Sequence, residues 1–146
     1  MRLALTTLCA VLLVSCGKAD DAESRGDQPA LASLAAFAGR WNMREFSEAG
    51  DSIGTFQLVA TADTSGWMTV VPNRDGIRRR VVAFGGDSVV NEIGPFESVL
   101  RPGVQVSTRE VFHVRGDSLF GTIVAHYSVS GPDSLKRIQT SGTRAR

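Results

Sequence analysis

Short segments in which hydrophobic and polar residues alternate follow one another along most of this chain. In the clearest segment, the odd-numbered positions are occupied by Ile123, Ala125 and Tyr127, and the even-numbered positions include Thr122 and His126. Successive side chains of a β-strand point to opposite faces, so such a strand has one apolar and one partly polar face. The pattern predicts strands that each place one face against a core.

Eight segments of this kind are predicted, and turn signals separate them. A Gly-Asp-Ser or Pro-Asp-Ser triplet precedes four of them, and these residue types favour tight turns. Eight meandering strands hide their edges best when the sheet closes on itself. The sequence therefore predicts an all-β fold, an antiparallel up-and-down barrel of about eight strands. The predicted strands are 40–47, 54–62, 66–72, 77–84, 88–93, 104–114, 118–130 and 135–144.

One short helix is predicted before the first strand, over residues 30–38. This segment is rich in alanine and leucine, which are strong helix formers. Leu31, Leu34 and Phe37 lie along one stripe of such a helix, and Gly39 ends it. We expect the apolar stripe to pack against one end of the barrel.

The amino terminus has the order of a secretory signal, in which Arg2 precedes an apolar run over residues 3–14. The run is shorter than the roughly 20 apolar residues that a membrane-spanning helix needs. Residues 1–15 are therefore predicted to be a signal peptide.

The segment Leu13-Val14-Ser15-Cys16 resembles the lipobox of bacterial lipoproteins. The resemblance implies cleavage before Cys16, acylation of its thiol and amino group, and anchoring to a membrane. Stable anchoring takes more than one acyl chain. In this family an aspartate after the cysteine favours retention in the inner membrane, and Gly17 instead implies the outer membrane of the cell envelope. An ordinary signal peptide or a membrane-tail anchor are the alternatives.

Residues 16–33 are polar and lack apolar clusters, so they are predicted to be a flexible tether that leads to one domain over residues 34–146. Cys9 lies in the signal peptide, so the mature chain has no second thiol and no internal disulfide. The chain has 16 basic and 15 acidic residues, and removing Arg2 leaves 15 of each. This balance gives no electrostatic argument for a nucleic-acid partner.

Gly39-Arg40-Trp41 resembles the Gly-x-Trp signature at the first strand of lipocalin and calycin barrels, and Arg144 near the carboxyl terminus matches a basic residue of their last strand. The resemblance implies that Arg144 packs over the Trp41 ring, a cation–π contact worth about 1 kcal/mol. It covers the order of the elements and the first and last strands, not the sequence between them, and this chain is shorter than a typical lipocalin. Ligand residues are therefore not carried over.

The stretch 91–103 mixes prolines and glycines with apolar and charged residues. It is interpreted as a lid or rim over a barrel mouth. In this interpretation Phe96 lies at the opening, and Arg101 binds a carboxylate or phosphate group of a ligand. The alternative is a structural loop held by a Glu97–Arg101 pair.

Three consecutive arginines open one strand, and alternation sends Arg79 to the face opposite Arg78 and Arg80. One face of this strand is a candidate pocket wall, and Arg80 is its candidate ligand contact. The alternative is a solvated edge that blocks strand addition. His126 and Tyr127 complete the candidate ligand-binding set.

Metal binding and catalysis find little support in the sequence. His113 and His126 are the two histidines, and no metal-ligand motif contains them. No activated serine motif or phosphate loop is present. Glu92, Glu97 and Glu110 are acid–base candidates that nothing in their spacing singles out. We expect neither a catalytic site nor a metal or other cofactor.

The leading hypothesis is a membrane-anchored lipoprotein whose barrel binds a small apolar or amphipathic ligand. This hypothesis requires a cavity of roughly 300 Å³ or more, the size of a small-molecule pocket. The alternative is a non-catalytic structural or partner-binding envelope lipoprotein with a filled barrel, which uses an exposed apolar patch at residues 96–100.

Overall fold

A computed structural model of the protein describes residues 34–146. The predicted signal peptide, Cys16, the tether and the first residues of the predicted helix lie outside the described residues. Within 34–146, no helix has the length and hydrophobicity needed to cross a membrane. The elements are one α-helix, α1 (Leu34–Phe37), a 3₁₀-helix (Pro132–Ser134), and nine strands: β1 (Gly39–Phe46), β2 (Ser52–Ala60), β3 (Met68–Val70), β4 (Ile77–Arg78), β5 (Arg80–Gly85), β6 (Ser88–Glu97), β7 (Gln105–Arg115), β8 (Ser118–Tyr127) and β9 (Leu135–Arg144).

All nine strands belong to one antiparallel sheet with the order β4-β3-β2-β1-β9-β8-β7-β6-β5. The first and last long strands are neighbours, and Trp41 of β1 stands opposite Arg144 of β9. The two outermost strands, β4 and β5, follow one another in the chain with only Arg79 between them. The sheet therefore curls into a nearly closed barrel, and the predicted all-β antiparallel architecture is confirmed.

The structure has nine strands because the predicted strand 77–84 is divided at Arg79. Residues before this point pair with β3, and residues after it pair with β6. The backbone N–H of Arg79 still donates to the carbonyl of Trp67, at 2.9 Å. One continuous segment thus changes partner as it passes from one edge of the sheet to the other.

The predicted faces and turns of the hairpin strands agree with the structure. In β8, Ile123, Ala125 and Tyr127 are buried, and His126 is exposed. Gly86 and Gly116 each begin a two-residue connection and have φ of 58°. Glycine adopts this conformation at no steric cost, which explains its place in these tight turns.

One end of the barrel, here named the sealed end, is covered by α1. Phe37 is fully buried, and its ring centroid lies 6.1 Å from that of Trp67. The indole N–H of Trp41 donates to the carbonyl of Phe37 at 2.7 Å. Burying a phenylalanine side chain is worth roughly 1.5–3 kcal/mol, so the helix is held by packing despite its four residues.

Candidate functional site

Arg144 connects the sealed end to the last strand. Its guanidinium carbon lies 4.2 Å from the centroid of the Trp41 ring, where the lipocalin resemblance places it. Its Nη1 and Nη2 donate to the carbonyls of Ala38 and Ala36, at 2.5 and 3.1 Å, and Nε donates to Asp117 at 3.1 Å. The carbonyls at the end of a helix lack intrahelical partners, so Arg144 satisfies them.

A cavity of about 140 Å³ lies inside the barrel towards the opposite end, here named the open end, where β1 and β8 finish and β2 begins. This volume is below the roughly 300 Å³ of a drug-sized pocket. It is close to the roughly 150 Å³ of an engineered cavity that binds benzene. The walls are mainly apolar, with Ile53, Phe56, Ile93, Phe96, Val106 and Tyr127 among them.

The inner end of this cavity is polar. Arg79 and Glu110 form a salt bridge there, and both side chains are buried. Arg79 Nε also donates to the Thr69 hydroxyl at 2.7 Å, and the Thr108 hydroxyl donates to Glu110 at 3.0 Å. Each of the two charged groups therefore has a hydrogen-bond partner in the barrel wall in addition to the salt bridge.

Two aromatic rings complete the surroundings of Arg79. Its guanidinium carbon lies 5.3 Å from the centroid of Phe56 and 5.4 Å from that of Phe112. Desolvation by burial lowers the pKa of Arg79 to about 9, and the negative charge of Glu45 opposes that change. Arg79 is therefore protonated at neutral pH.

Asn91 adds an unsatisfied polar group to this layer. It stands opposite Glu110 in the β6–β7 ladder and is fully buried. Neither its amide nitrogen nor its oxygen has a hydrogen-bond partner among the described residues. A buried polar group in this state costs about 1–3 kcal/mol of stability. The interior is thus more polar than stability alone requires.

Glu45 is the second acidic residue on the inner face. It lines the cavity from β1, opposite Gly54 of β2. A Cβ atom at position 54 would come within 2.7 Å of a carboxylate oxygen of Glu45, so the glycine leaves the space that this oxygen occupies. Desolvation raises the pKa of Glu45, and the positive charge of Arg79 opposes the rise. Its carboxylate is partly buried in an apolar wall.

Glu45→Gln is expected to raise the free energy of unfolding at neutral pH, because the folded protein then no longer holds a desolvated carboxylate. Since the pKa of Glu45 is raised in the folded protein, wild-type stability falls as the pH rises from the ordinary carboxyl pKa through the raised one. The advantage of the variant is expected to be full above this interval and to vanish below it. Urea unfolding of both proteins across this pH range tests the prediction. A difference that is independent of pH, or that the exposed Glu48→Gln control reproduces, would contradict it.

The loop between β6 and β7 lies at the open end. The Ser98 hydroxyl accepts hydrogen bonds from the backbone N–H groups of Leu100 and Arg101, at 3.1 and 3.0 Å. The Ser98 N–H donates to the carbonyl of Val104 at 2.8 Å. Val99 and Leu100 line the cavity and are still 44% and 40% exposed. The loop, residues 98–104, is here named the mouth loop.

Arg101 holds the mouth loop to the chain before β9. Its Nη1 donates to the carbonyl of Asp133 at 3.0 Å, and Nη2 lies 3.5 Å from the Asp133 carboxylate. Its guanidinium carbon lies 4.3 Å from the ring centroid of Tyr127. Glu97 instead accepts a hydrogen bond from the N–H of Gly103 at 3.1 Å. The predicted Glu97–Arg101 pair is therefore wrong, because Arg101 reaches a partner that is distant in the sequence.

The candidate ligand-binding residues fall into separate places. Phe96 and Tyr127 line the cavity, whereas Arg101 lies beside it with partners of its own. Arg80 and His126 are exposed on the outer face of the barrel and do not line the cavity.

The arginine run alternates as predicted, but Arg79 is the member that points inward. Arg78 and Arg80 are exposed. On the outer face, Arg80 pairs with Glu92, which also accepts a hydrogen bond from Arg109 at 2.5 Å. The inner position belongs to Arg79 because it shares the parity of the partly buried Ile77.

The two histidines are held apart by the β7–β8 ladder, in which His113 pairs with Phe120 near one end and His126 with Ser107 near the other. His113 lies 3.0 Å from the Asp87 carboxylate and its ring stacks on that of Phe120. Over residues 34–146, no cluster of three or more His, Cys, Asp or Glu side chains has the arrangement of a metal site.

The sequence reasoning did not single out Arg79, Glu110 or Glu45 as interior groups. A signal for them exists in the alternation. Glu45 alternates with Trp41 and Met43 and so falls on the same face of the strand, and Arg79 falls on the same face as Ile77. A charged residue at a position that alternation assigns to the inner, apolar face indicates a polar layer inside a barrel.

The nearly closed antiparallel barrel, its helix at one end and the contact of Arg144 with Trp41 are compatible with a lipocalin-like fold. No family model matches the sequence, and no significant match was found among curated proteins or solved structures. The likeness to a lipocalin-like fold therefore rests on the geometry of the barrel alone.

Proposed function

We propose that this protein is a non-catalytic binding protein that holds a small apolar or amphipathic molecule in the cavity at the open end. The observation that carries the proposal is an apolar cavity of about 140 Å³ beneath a mouth loop whose Val99 and Leu100 are exposed. Exposed apolar side chains beside a concave apolar site are typical of ligand entrances.

The polar layer inside the barrel supports a binding role. A barrel built for stability alone gains nothing from the orphaned amide of Asn91 or from the desolvated carboxylate of Glu45. Departures from the most stable arrangement are expected at functional sites. The cavity volume limits the ligand to about the size of benzene unless the mouth loop moves.

The place of this domain in the cell is a proposal drawn from the first 17 residues. The signal-like segment and the lipobox-like segment support export and acylation at Cys16, followed by anchoring in the outer membrane. The ligand would then be a molecule of the cell envelope. The nearly neutral chain supports no role in nucleic-acid binding.

Titration with benzene, followed by two-dimensional amide NMR, tests the binding proposal. We expect saturable shifts at amides around Ile93, Phe96 and Tyr127, with a dissociation constant of about 1 mM or lower, because burial is worth roughly 0.8 kcal/mol per carbon group. Ala125 lines the cavity, so Ala125→Leu is expected to weaken binding about tenfold or more by filling it.

Ala83→Leu is the matched control, because Ala83 is exposed on β5 and does not line the cavity. The control is expected to bind benzene as the wild type does. Absence of saturable shifts in folded wild-type protein would overturn the proposal. It would favour the partner-binding alternative, in which Val99 and Leu100 form part of an apolar docking patch.

A further inference from the structure

The charges inside the barrel do not balance. Among the described residues that line the cavity, the charged side chains are Arg79, Glu110 and Glu45. Arg79 is already bonded to Glu110 and Thr69. One positive and two negative groups therefore face the interior when all three are ionised.

The uncompensated charge is that of Glu45. No hydrogen bond or salt bridge joins its carboxylate to another side chain within residues 34–146, although Arg79 acts on it at longer range. Gly54 keeps the space around a carboxylate oxygen free of a side chain. When a cation contacts a carboxylate that lies in an apolar wall without a direct partner, the interaction free energy is strongly favourable.

Arg79 is not free to bind an anionic ligand. Its guanidinium bonds Glu110 and Thr69, and two aromatic rings cover it. An anion that entered the cavity would also meet the negative charge of Glu45. The interior therefore disfavours carboxylates and phosphates.

We propose that the ligand of this cavity is a small organic cation, a protonated amine with a short apolar group, whose ammonium pairs with the carboxylate of Glu45. The inference rests on the proposed binding function and names the chemical class of its ligand. The apolar group would contact Phe56, Ile93 and Phe96, and the ring of Phe96 offers a face that attracts a cation. A cavity of this volume accepts about six non-hydrogen atoms.

Butylamine, butanol and butanoate form a matched series for the test, because each has four carbon atoms and they differ in the charge of the head group. Binding of each to the protein at neutral pH is measured by amide NMR titration. Butylammonium is expected to bind about tenfold or more tightly than butanol, since a charge-assisted hydrogen bond replaces a neutral one. Butanoate is expected to show no saturable binding.

Glu45→Gln is expected to remove the preference, so that butylammonium and butanol bind equally. Glu48→Gln is the matched control, since it removes the same charge from an exposed position in the turn that follows β1. It is expected to keep the preference. The wild type offers a second measurement that does not depend on the folding of a variant. Lowering the pH protonates Glu45 while Arg79 stays charged, and it is expected to weaken butylammonium binding without affecting butanol.

The outcomes separate this inference from the proposed function. Equal binding of butylammonium and butanol by the wild type would overturn the cation inference and leave the apolar cavity as a binding site. Tighter binding of butanoate than of butylammonium would overturn the cation inference as well. If neither benzene nor any member of the series binds, the proposed binding function itself fails.

Discussion

Arg79→Met is expected to lower the free energy of unfolding by about 3–5 kcal/mol, because it leaves Glu110 buried without its partner. Attraction between two buried charges offsets the cost of removing them from water, and the loss of one partner exposes that cost. The remaining hydrogen bond to Glu110, from the Thr108 hydroxyl, is too weak to replace a guanidinium. Urea unfolding followed by far-ultraviolet circular dichroism measures the change.

Two further proteins make this test specific. Arg79→Met combined with Glu110→Leu is expected to regain most of the lost stability, since an apolar pair needs no compensation. Arg80→Met is the control, because Arg80 is the exposed neighbour and pairs with the partly exposed Glu92. A surface pair of this kind contributes about 0–1 kcal/mol. The interpretation of the buried pair fails if Arg79→Met is no more destabilising than Arg80→Met.

The position of Arg79 gives this pair a second consequence. The chain changes its pairing partner at this residue, from β3 to β6, and the two edges of the nearly closed barrel meet there. Its side chain crosses the interior to Glu110 on β7. The salt bridge therefore connects the point where the two edges of the sheet meet, between β4 and β5, with β7. The buried polar residues thus stabilise the curled form of the sheet.

The strands were predictable because their signals are local. Alternation of residue types and the Gly-Asp turns act over a few neighbouring positions, so β8 and its two faces agree with the prediction. Closure of the barrel depends on which distant segments pair. No local pattern shows that residues 77–85 serve both edges of one sheet, and the division at Arg79 was therefore missed.

The candidate site was predicted less well than the fold. Of the candidate ligand-binding residues, Phe96 and Tyr127 line the cavity, whereas Arg80 and His126 do not. The sequence offers an anionic ligand or Glu97 as the partner of Arg101, and the structure places Asp133 there, which the sequence gives no reason to prefer. Side-chain pairing across loops is a tertiary property that a single sequence does not specify.

The two ends of the barrel differ in packing and in charge. At the sealed end, α1, Trp41 and Arg144 form a closed network of packing and hydrogen bonds. At the open end, a loop with exposed Leu100 covers a cavity with unbalanced charge. Stability at one end allows the other end to contain groups that are unfavourable for folding, such as Glu45. Mutations at the sealed end are accordingly expected to change stability and to leave ligand affinity unaltered.

Trp41→Ala is expected to lower the free energy of unfolding by about 3–5 kcal/mol, because Trp41 is fully buried and its removal leaves a large cavity beneath α1. Arg144→Ala removes charge-assisted hydrogen bonds to the carbonyls of Ala36 and Ala38. Its expected cost is about 1.5–3 kcal/mol. Arg137→Ala, an exposed arginine of the same strand, is the control and is expected to stay within about 0.5 kcal/mol of the wild type.

The double variant of Trp41 and Arg144 shows whether the two residues act as one unit. If the guanidinium over the indole ring contributes through direct contact, the double variant is expected to lose less stability than the sum of the single variants, by about 0.5–1 kcal/mol or more. Additive losses would mean that Arg144 acts only through Asp117 and the carbonyls of Ala36 and Ala38. Circular dichroism is the suitable signal for all four proteins, because loss of Trp41 changes the fluorescence of the folded state.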